Sequence, residues 1–194
     1  MSITLKLDPT SLSAANFKQY GDVIQTEDAH HFSMNGGKLE RYYDLAQINV
    51  GTETGGRPVM SIASCNQITR LPLNIPFLER HPNGSQAIFP LCKQTMIVVV
   101  APVGDTISLN SIRAFYSNGT QGINFHPGVW HFPIIALEPD QAFLIVDRGG
   151  PDKNCDEFYF DEKIVSSNSC KARRSRELLF GFESGRCWGK FTIS

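Results

Sequence analysis

Apolar and polar positions alternate over short stretches for most of this chain, and Gly, Pro or Asn separates the stretches. Period-two alternation places successive side chains on opposite faces of a strand. It predicts strands over 4–7, 21–25, 41–45, 59–65, 86–90, 95–101, 113–116, 122–126, 129–137 and 142–147. Helix signals are sparse. The best spans 11–20, with Ser or Thr to cap it and Gly21 to stop it, and a short helical turn fits 105–111. Many short strands with turn residues between them predict an all-β barrel or sandwich with one or two short helices.

Two turns stand out for the histidines beside them. Glu79-Arg80-His81-Pro82-Asn83-Gly84-Ser85-Gln86 and Asn124-Phe125-His126-Pro127-Gly128-Val129-Trp130-His131 each join two strand-like runs. Asn-Gly is a strong hairpin signal. A hairpin at Asn83-Gly84 sets His81 opposite Gln86, with Glu79 on the same face. The same counting across Pro127-Gly128 sets Asn124 opposite His131, with His126 on their face, although Pro-Gly suits a tight hairpin poorly. If the two faces meet, they form a polar pocket. Taken singly, each histidine also reads as structural: His81 and His126 precede Pro at turns, and His131 lies in an apolar run. His30-His31 reads as loop, because adjacent strand residues face opposite ways.

Composition narrows the class. The 194 residues suit one domain with an appendage, and net charge is −1. Residues 1–162 hold 11 Lys/Arg against 17 Asp/Glu, whereas 163–194 hold 7 against 2. The acidic body argues against nucleic acid as a partner. Cys65, Cys92, Cys155, Cys170 and Cys187 are scattered and form no CxxC, which fits reduced thiols in the cytoplasm rather than a zinc knuckle or redox dithiol. The longest apolar run, 96–102, is too short to cross a bilayer, and the first residues lack the apolar core of a signal peptide. From Lys163 onward a Ser-rich stretch, a basic run and aperiodic apolar residues predict an extension outside the core, so the expected division is a barrel over 1–162 and an extension over 163–194.

The chain resembles the ureidoglycolate lyase family. The resemblance rests on Tyr20-Gly21-Asp22-Val23-Ile24, Leu39-Glu40-Arg41-Tyr42-Tyr43-Asp44-Leu45 and Leu78-Glu79-Arg80-His81-Pro82. It continues through Arg113-Ala114-Phe115, Asn124, His126, Val129-Trp130-His131, Asp147-Arg148-Gly149-Gly150 and Asn154-Cys155-Asp156. It covers roughly residues 4–160 and leaves the C-terminal extension unmatched. It implies a cupin-like β-barrel of the double-stranded β-helix type, a homodimer, and cleavage of (S)-ureidoglycolate to glyoxylate and urea in allantoin degradation.

That substrate carries a hydroxyl, a ureido nitrogen and a carboxylate on one carbon. Its elimination needs a base for the hydroxyl proton, an acid for the departing nitrogen and a fixed partner for the carboxylate, but no redox cofactor. Imidazoles titrate near working pH. His81 and His131 are therefore the expected catalytic pair, with acid and base unassigned. Gln86, Asn124 and His126 are expected to bond the ureido group or the hydroxyl. Arg41 is expected on the carboxylate, with Arg113 and Arg148 as rivals, and Asp147 orients a histidine or pairs with Arg148. Metal-dependent cupins use His-x-His, Glu and a later His; here Glu79 and Gln86 replace two of those ligands, and amides are poor ligands for transition metals. No tightly bound metal is expected, while Glu79, His81 and His131 remain candidates for a stimulating divalent ion such as nickel. The alternatives are a metal-dependent cupin hydrolase or isomerase on another small polar acid, and a non-catalytic ligand-binding barrel.

Overall fold

The computed structural model of the chain describes residues 5–160 and 191–193. Its strands, in chain order, are β1 (Leu5–Leu7), β2 (Thr10–Ser11), β3 (Gly21–Ile24), β4 (His31–Met34), β5 (Leu39–Tyr42), β6 (Arg57–Ser64), β7 (Leu73–Asn74) and β8 (Phe77–Arg80). There follow β9 (Gln86–Pro90), β10 (Ile97–Ala101), β11 (Arg113–Tyr116), β12 (Gly122–Phe125), β13 (Trp130–His131), β14 (Ala142–Gly149), β15 (Asp156–Tyr159) and β16 (Phe191–Ile193). A helix, α1, spans Ala14–Phe17, shorter than its signal; Ser13 and Asn16 exchange capping bonds at its start. The helical turn expected over 105–111 is a 3-10 turn at Leu109–Ser111.

A six-stranded sheet, ordered β15-β8-β13-β10-β11-β2, faces a five-stranded sheet, ordered β3-β12-β9-β14-β6. Val98, Val100 and Phe115 from the first meet Val23, Ile88, Ile123, Phe125 and Phe143 from the second. This is the main core, closed at one side by Phe17 and Tyr20. A second core covers the other face of the six-stranded sheet, where Ile97, Val99, Ala101 and Trp130 meet Leu7, Ile75 and Ile112. β10 is therefore buried throughout, as its unbroken run Ile97-Val98-Val99-Val100-Ala101 requires. Among the described residues the two large sheets share no ladder, so the all-β body is a pair of facing sheets rather than a fully hydrogen-bonded cylinder.

The register corrects both expected hairpins. β8 and β9 lie in different sheets, and so do β12 and β13. The Asn83-Gly84 and Pro127-Gly128 turns each carry the chain across the core. They meet: the Gly128 amide donates to the His81 carbonyl at 2.9 Å. Among the described residues the one tight, separate hairpin is β4–β5, where Asn35, Gly36 and Gly37 take φ of 52°, 66° and 82° between Met34 and Leu39. His31 belongs to that hairpin and not to a loop. The expected strand over 129–137 stops at His131, because Pro133 lacks the amide a ladder needs; beyond it Ile135 makes only an isolated bridge to Ile97. β16 lies within the C-terminal extension and pairs with β1 and β7, while the expectations for 161–190 fall outside the described residues.

Candidate active site

One row of side chains crosses the inner face of the six-stranded sheet. Glu157 pairs with Glu79, Glu79 with His131, His131 with Val100, and Val100 with Arg113. Directly paired residues share a face, and Val100 fixes that face as the one toward the main core. His81 follows β8 at the crossing turn, and its ring centroid lies 5.1 Å from that of His131. Glu79, His81 and His131 thus bring one potential ligand atom each within 4.8 Å of one another.

The hydrogen bonds orient both rings. His81 Nδ1 meets the Asn154 carbonyl at 2.6 Å, and His131 Nδ1 meets the Val129 carbonyl at 3.0 Å. A carbonyl accepts only, so each Nδ1 carries a proton and each ring turns its Nε2 inward. Both Nε2 atoms are buried without a hydrogen-bond partner. Phe125 backs His131 in a near-parallel stack, centroids 4.1 Å apart. Burial first, and the charge of His81 second, push the His131 pKa down to about 3. Its Nε2 lies 3.7 Å from Glu79 Oε1, a contact between a neutral imidazole and a carboxyl rather than an ion pair. Burial also raises the Glu79 pKa, against the pull of His81. Desolvation thus removes charge from both partners.

The loop from Gly150 to Asp156 walls this cluster, and sequence reasoning gave its residues no role. Asn83 donates its amide to Asn154 Oδ1 at 2.8 Å and its side chain to the Lys153 carbonyl at 3.2 Å. Cys155 directs its thiol toward Glu79 Oε2 at 3.8 Å; burial and then Glu79 raise its pKa, which keeps it a donor rather than a nucleophile. Asn154-Cys155-Asp156 was visible as a motif, but nothing local tied it to His81. A second trio, Glu79, Cys155 and Glu157, lies equally close together.

The remaining expected residues divide between faces. Gln86 pairs with Phe125, so it faces the core opposite His131, and its amide lies 3.5 Å from Asp147 Oδ2. Arg113 shares the inner face, two strands from His131, but donates to the Asn110 and Ile112 carbonyls. Asn124 and His126 are on the outer face of the five-stranded sheet. There Asn124 donates to Asp22 Oδ2 at 2.9 Å and to the Gln47 carbonyl at 3.0 Å, and His126 Nε2 lies 3.4 Å from Asp22 Oδ1. Arg148 is buried with its guanidinium on the Val50, Gly51 and Thr54 carbonyls. A Cβ added at Gly84 would meet Arg148, so this arginine is packed into the scaffold and its rival role is not one its position allows. Arg41 is exposed on β5, in a hairpin that shares no ladder with the sheet that carries the row.

A family model described as ureidoglycolate lyase matches residues 4–167. The chain is a member of the ureidoglycolate lyase family. The ureidoglycolate lyase of Pseudomonas syringae pv. tomato is 43% identical over 159 residues, covering 82% of this chain and 91% of that protein. Those of Pseudomonas putida F1 and Pseudomonas aeruginosa LESB58 are 44% and 43% identical, each again over 82% of this chain, and 93% and 92% of their own lengths. Among solved structures, a dTDP sugar isomerase from Desulfovibrio desulfuricans G20 is 13% identical with a TM-score of 0.38, covering 76% of this chain and 89% of its own. The family match lies over both crossing turns and the wall loop, so every residue of the row from Glu79 to Glu157 falls within it.

Proposed function

We propose that this chain is an enzyme that cleaves (S)-ureidoglycolate to glyoxylate and urea by acid–base elimination at the Glu79, His81 and His131 cluster. Membership of the family supports the substrate. The observation that carries the site is the pair of buried, unpartnered Nε2 atoms turned toward one carboxyl group. Buried polar atoms without partners are costly in a finished core, so a convergent pair of them marks a place built for something else to bind. His131 is neutral at working pH and accepts: its Nε2 takes the hydrogen bond, then the proton, of the substrate hydroxyl. His81 is less buried, stands at the crossing turn and gives an Nε2 proton to the ureido nitrogen as the C–N bond breaks, so that the hydroxyl proton ends on His131 and urea leaves neutral. Gln86 offers its amide from the opposite wall.

The same three side chains fit a divalent cation. Two imidazole nitrogens and a carboxyl oxygen within 4.8 Å of one another would hold it. A cation held by Glu79, His81 and His131 would supply Lewis acidity toward the substrate hydroxyl or carboxylate. We read the working protein as a cytoplasmic homodimer. No helix among the described residues is long and apolar enough to cross a membrane.

The test is incubation of EDTA-treated and metal-restored protein with (S)-ureidoglycolate, following glyoxylate, urea and ammonia separately. Equal glyoxylate and urea without ammonia is the expected result. Ammonia in place of urea would make the chain an amidohydrolase, and no glyoxylate under either condition would overturn the reading.

A further inference from the structure

The β4–β5 hairpin has two unlike faces. Its register pairs Phe32 with Arg41 and Met34 with Leu39. Alternation therefore puts Phe32, Met34, Leu39, Arg41 and Tyr43 on one face, and His31, Ser33, Glu40 and Tyr42 on the other. On the first face the Arg41 guanidinium sits 5.8 Å from the Phe32 ring centroid and 5.5 Å from that of Tyr43. It is a cation preset against two neighbouring rings, whose centroids are 6.3 Å apart. The surrounding apolar groups are open to solvent, with Phe32, Leu39 and Tyr43 at 41%, 56% and 52% exposure. The hairpin pairs with no other described strand, and a two-stranded ribbon is marginal by itself. A second apolar surface lies on the outer face of the five-stranded sheet, where Met60 and Ile62 are 73% and 66% exposed beside Leu144 and Val146. An uncovered apolar surface of this kind marks an interface.

The site is short of the charge that the hairpin carries. Glu79, Glu157 and Asp147 line it. Among the described residues no Lys or Arg makes an ion pair or hydrogen bond with any of them, and Arg80 on the same strand faces the other way, over Trp130. β3 begins at Gly21, paired with Phe125 beside His131, and ends at Ile24, from which the chain leads into the segment that carries the hairpin. Packing two outer faces about a two-fold axis that lies between them, perpendicular to the strands, sets the Ile24 end of one copy beside the site end of the other.

We propose that the hairpin delivers Arg41 into the site of a second copy of this chain, where its guanidinium forks onto the substrate carboxylate. The assignment of that carboxylate rests on the function proposed above. The aromatic pair keeps the guanidinium aligned, and the acidic rim draws it in. The active unit is then a dimer in which each site is built from both chains.

The experiment mixes two differently tagged defective variants, R41A and H131A, and reads kcat/KM on (S)-ureidoglycolate after exchange. R41A alone should fall about 30-fold, mainly through KM, and H131A at least about 100-fold. In the mixed dimer one site has Arg41 and His131 intact. Random assortment therefore recovers about one quarter of the wild-type rate, several times either parent. Heterodimer confirmed by double-tag capture but no more active than the parents would overturn the proposal and place Arg41 in its own chain's site. R41A at wild-type efficiency would also overturn it and leave the carboxylate to Arg113 or to Lys153 of the wall loop. Sedimentation tests the surface without substrate: wild type should run as a dimer and I62D as a monomer, and an I62D dimer would overturn the packing. Wild-type protein that leaves ureidoglycolate unchanged would overturn the functional reading instead, and sedimentation would still decide the interface.

Discussion

Two clusters in this molecule hold the same chemical parts, a carboxylate, an imidazole and further polar groups, and use them in opposite ways. On the outer face, Asp22 accepts from Asn124 and from the Gln47 amide, and His126 adds a third contact. Asp22 and the Asn124 amide nitrogen find their partners within the protein, while Asn124 Oδ1 is buried without one, and the cluster ties the segment around Gln47 to the sheet. On the inner face, beside Glu79, His81 and His131 keep their Nδ1 atoms satisfied and their Nε2 atoms buried without a partner. Composition does not separate the two sets, and neither does a single unpartnered atom; convergence does. The outer cluster leaves one amide oxygen alone, whereas the inner one turns two unpartnered imidazole nitrogens toward the same carboxyl group, and such a convergent set is a site.

The contrast can be broken first at the inner cluster. His131→Ala and His81→Ala are each expected to lower kcat about 100-fold or more, measured on purified protein whose thermal unfolding shows it folded. Near wild-type turnover in both would erase the distinction. If a cation is held there, exhaustive chelation lowers activity in wild type and has no further effect in His81→Ala, read by metal analysis beside kinetics.

Next comes pH. His131 titrates at about 3 in the folded protein and near 6.5 when unfolded, so the unfolded chain binds more protons in that window. Stability is then complete above about pH 6.5 and falls on acidification, by about 1.4 kcal/mol per unit until pH 3. The raised pKa of Glu79 works in the opposite sense, since its folded form holds a proton above the unfolded value. Denaturant midpoints between pH 7 and pH 5 should fall in wild type and stay flatter in His131→Phe. Equal slopes would mean that His131 is not the buried neutral group described.

At the outer cluster the signs reverse. Asn124→Ala should cost about 1–3 kcal/mol of stability while changing kcat less than about two-fold. A large loss of kcat at full stability would move Asn124 back into the chemistry. The smallest effect belongs to His126→Ala, whose half-exposed contact with Asp22 is worth about 0–1 kcal/mol.

Much of this fold was readable from alternation alone. Gln86–Pro90 and Arg113–Tyr116 form where the pattern put them, and Glu79 and His81 share a face because strand side chains alternate. The partner of that face was not readable. Hairpin counting set Gln86 beside His81 and Asn124 beside His131, whereas the chain crosses between sheets at both turns and His131 pairs with Glu79. Turn residues specify that the chain reverses, not which sheet receives it; that depends on which apolar face the next strand must bury. The wall loop was hidden for a similar reason. Asn154 reaches His81 through its backbone carbonyl, a group that every residue has and no motif encodes. The aromatic rings flanking Arg41 are legible only once Phe32 is known to pair with it.

The contact between the two crossing turns bears on how such a protein tolerates change. Gly128 is bonded to His81, and Phe125 of the opposite sheet stacks on His131, so the setting of the imidazoles follows the packing of the hydrophobic layer beneath them. Interior packing thereby acts as a gauge block for the chemistry. Trimming Phe125 or Ile123 would reset the spacing of groups that those residues do not resemble, and drift in the apolar interior becomes a means of retuning catalysis without altering any acid or base.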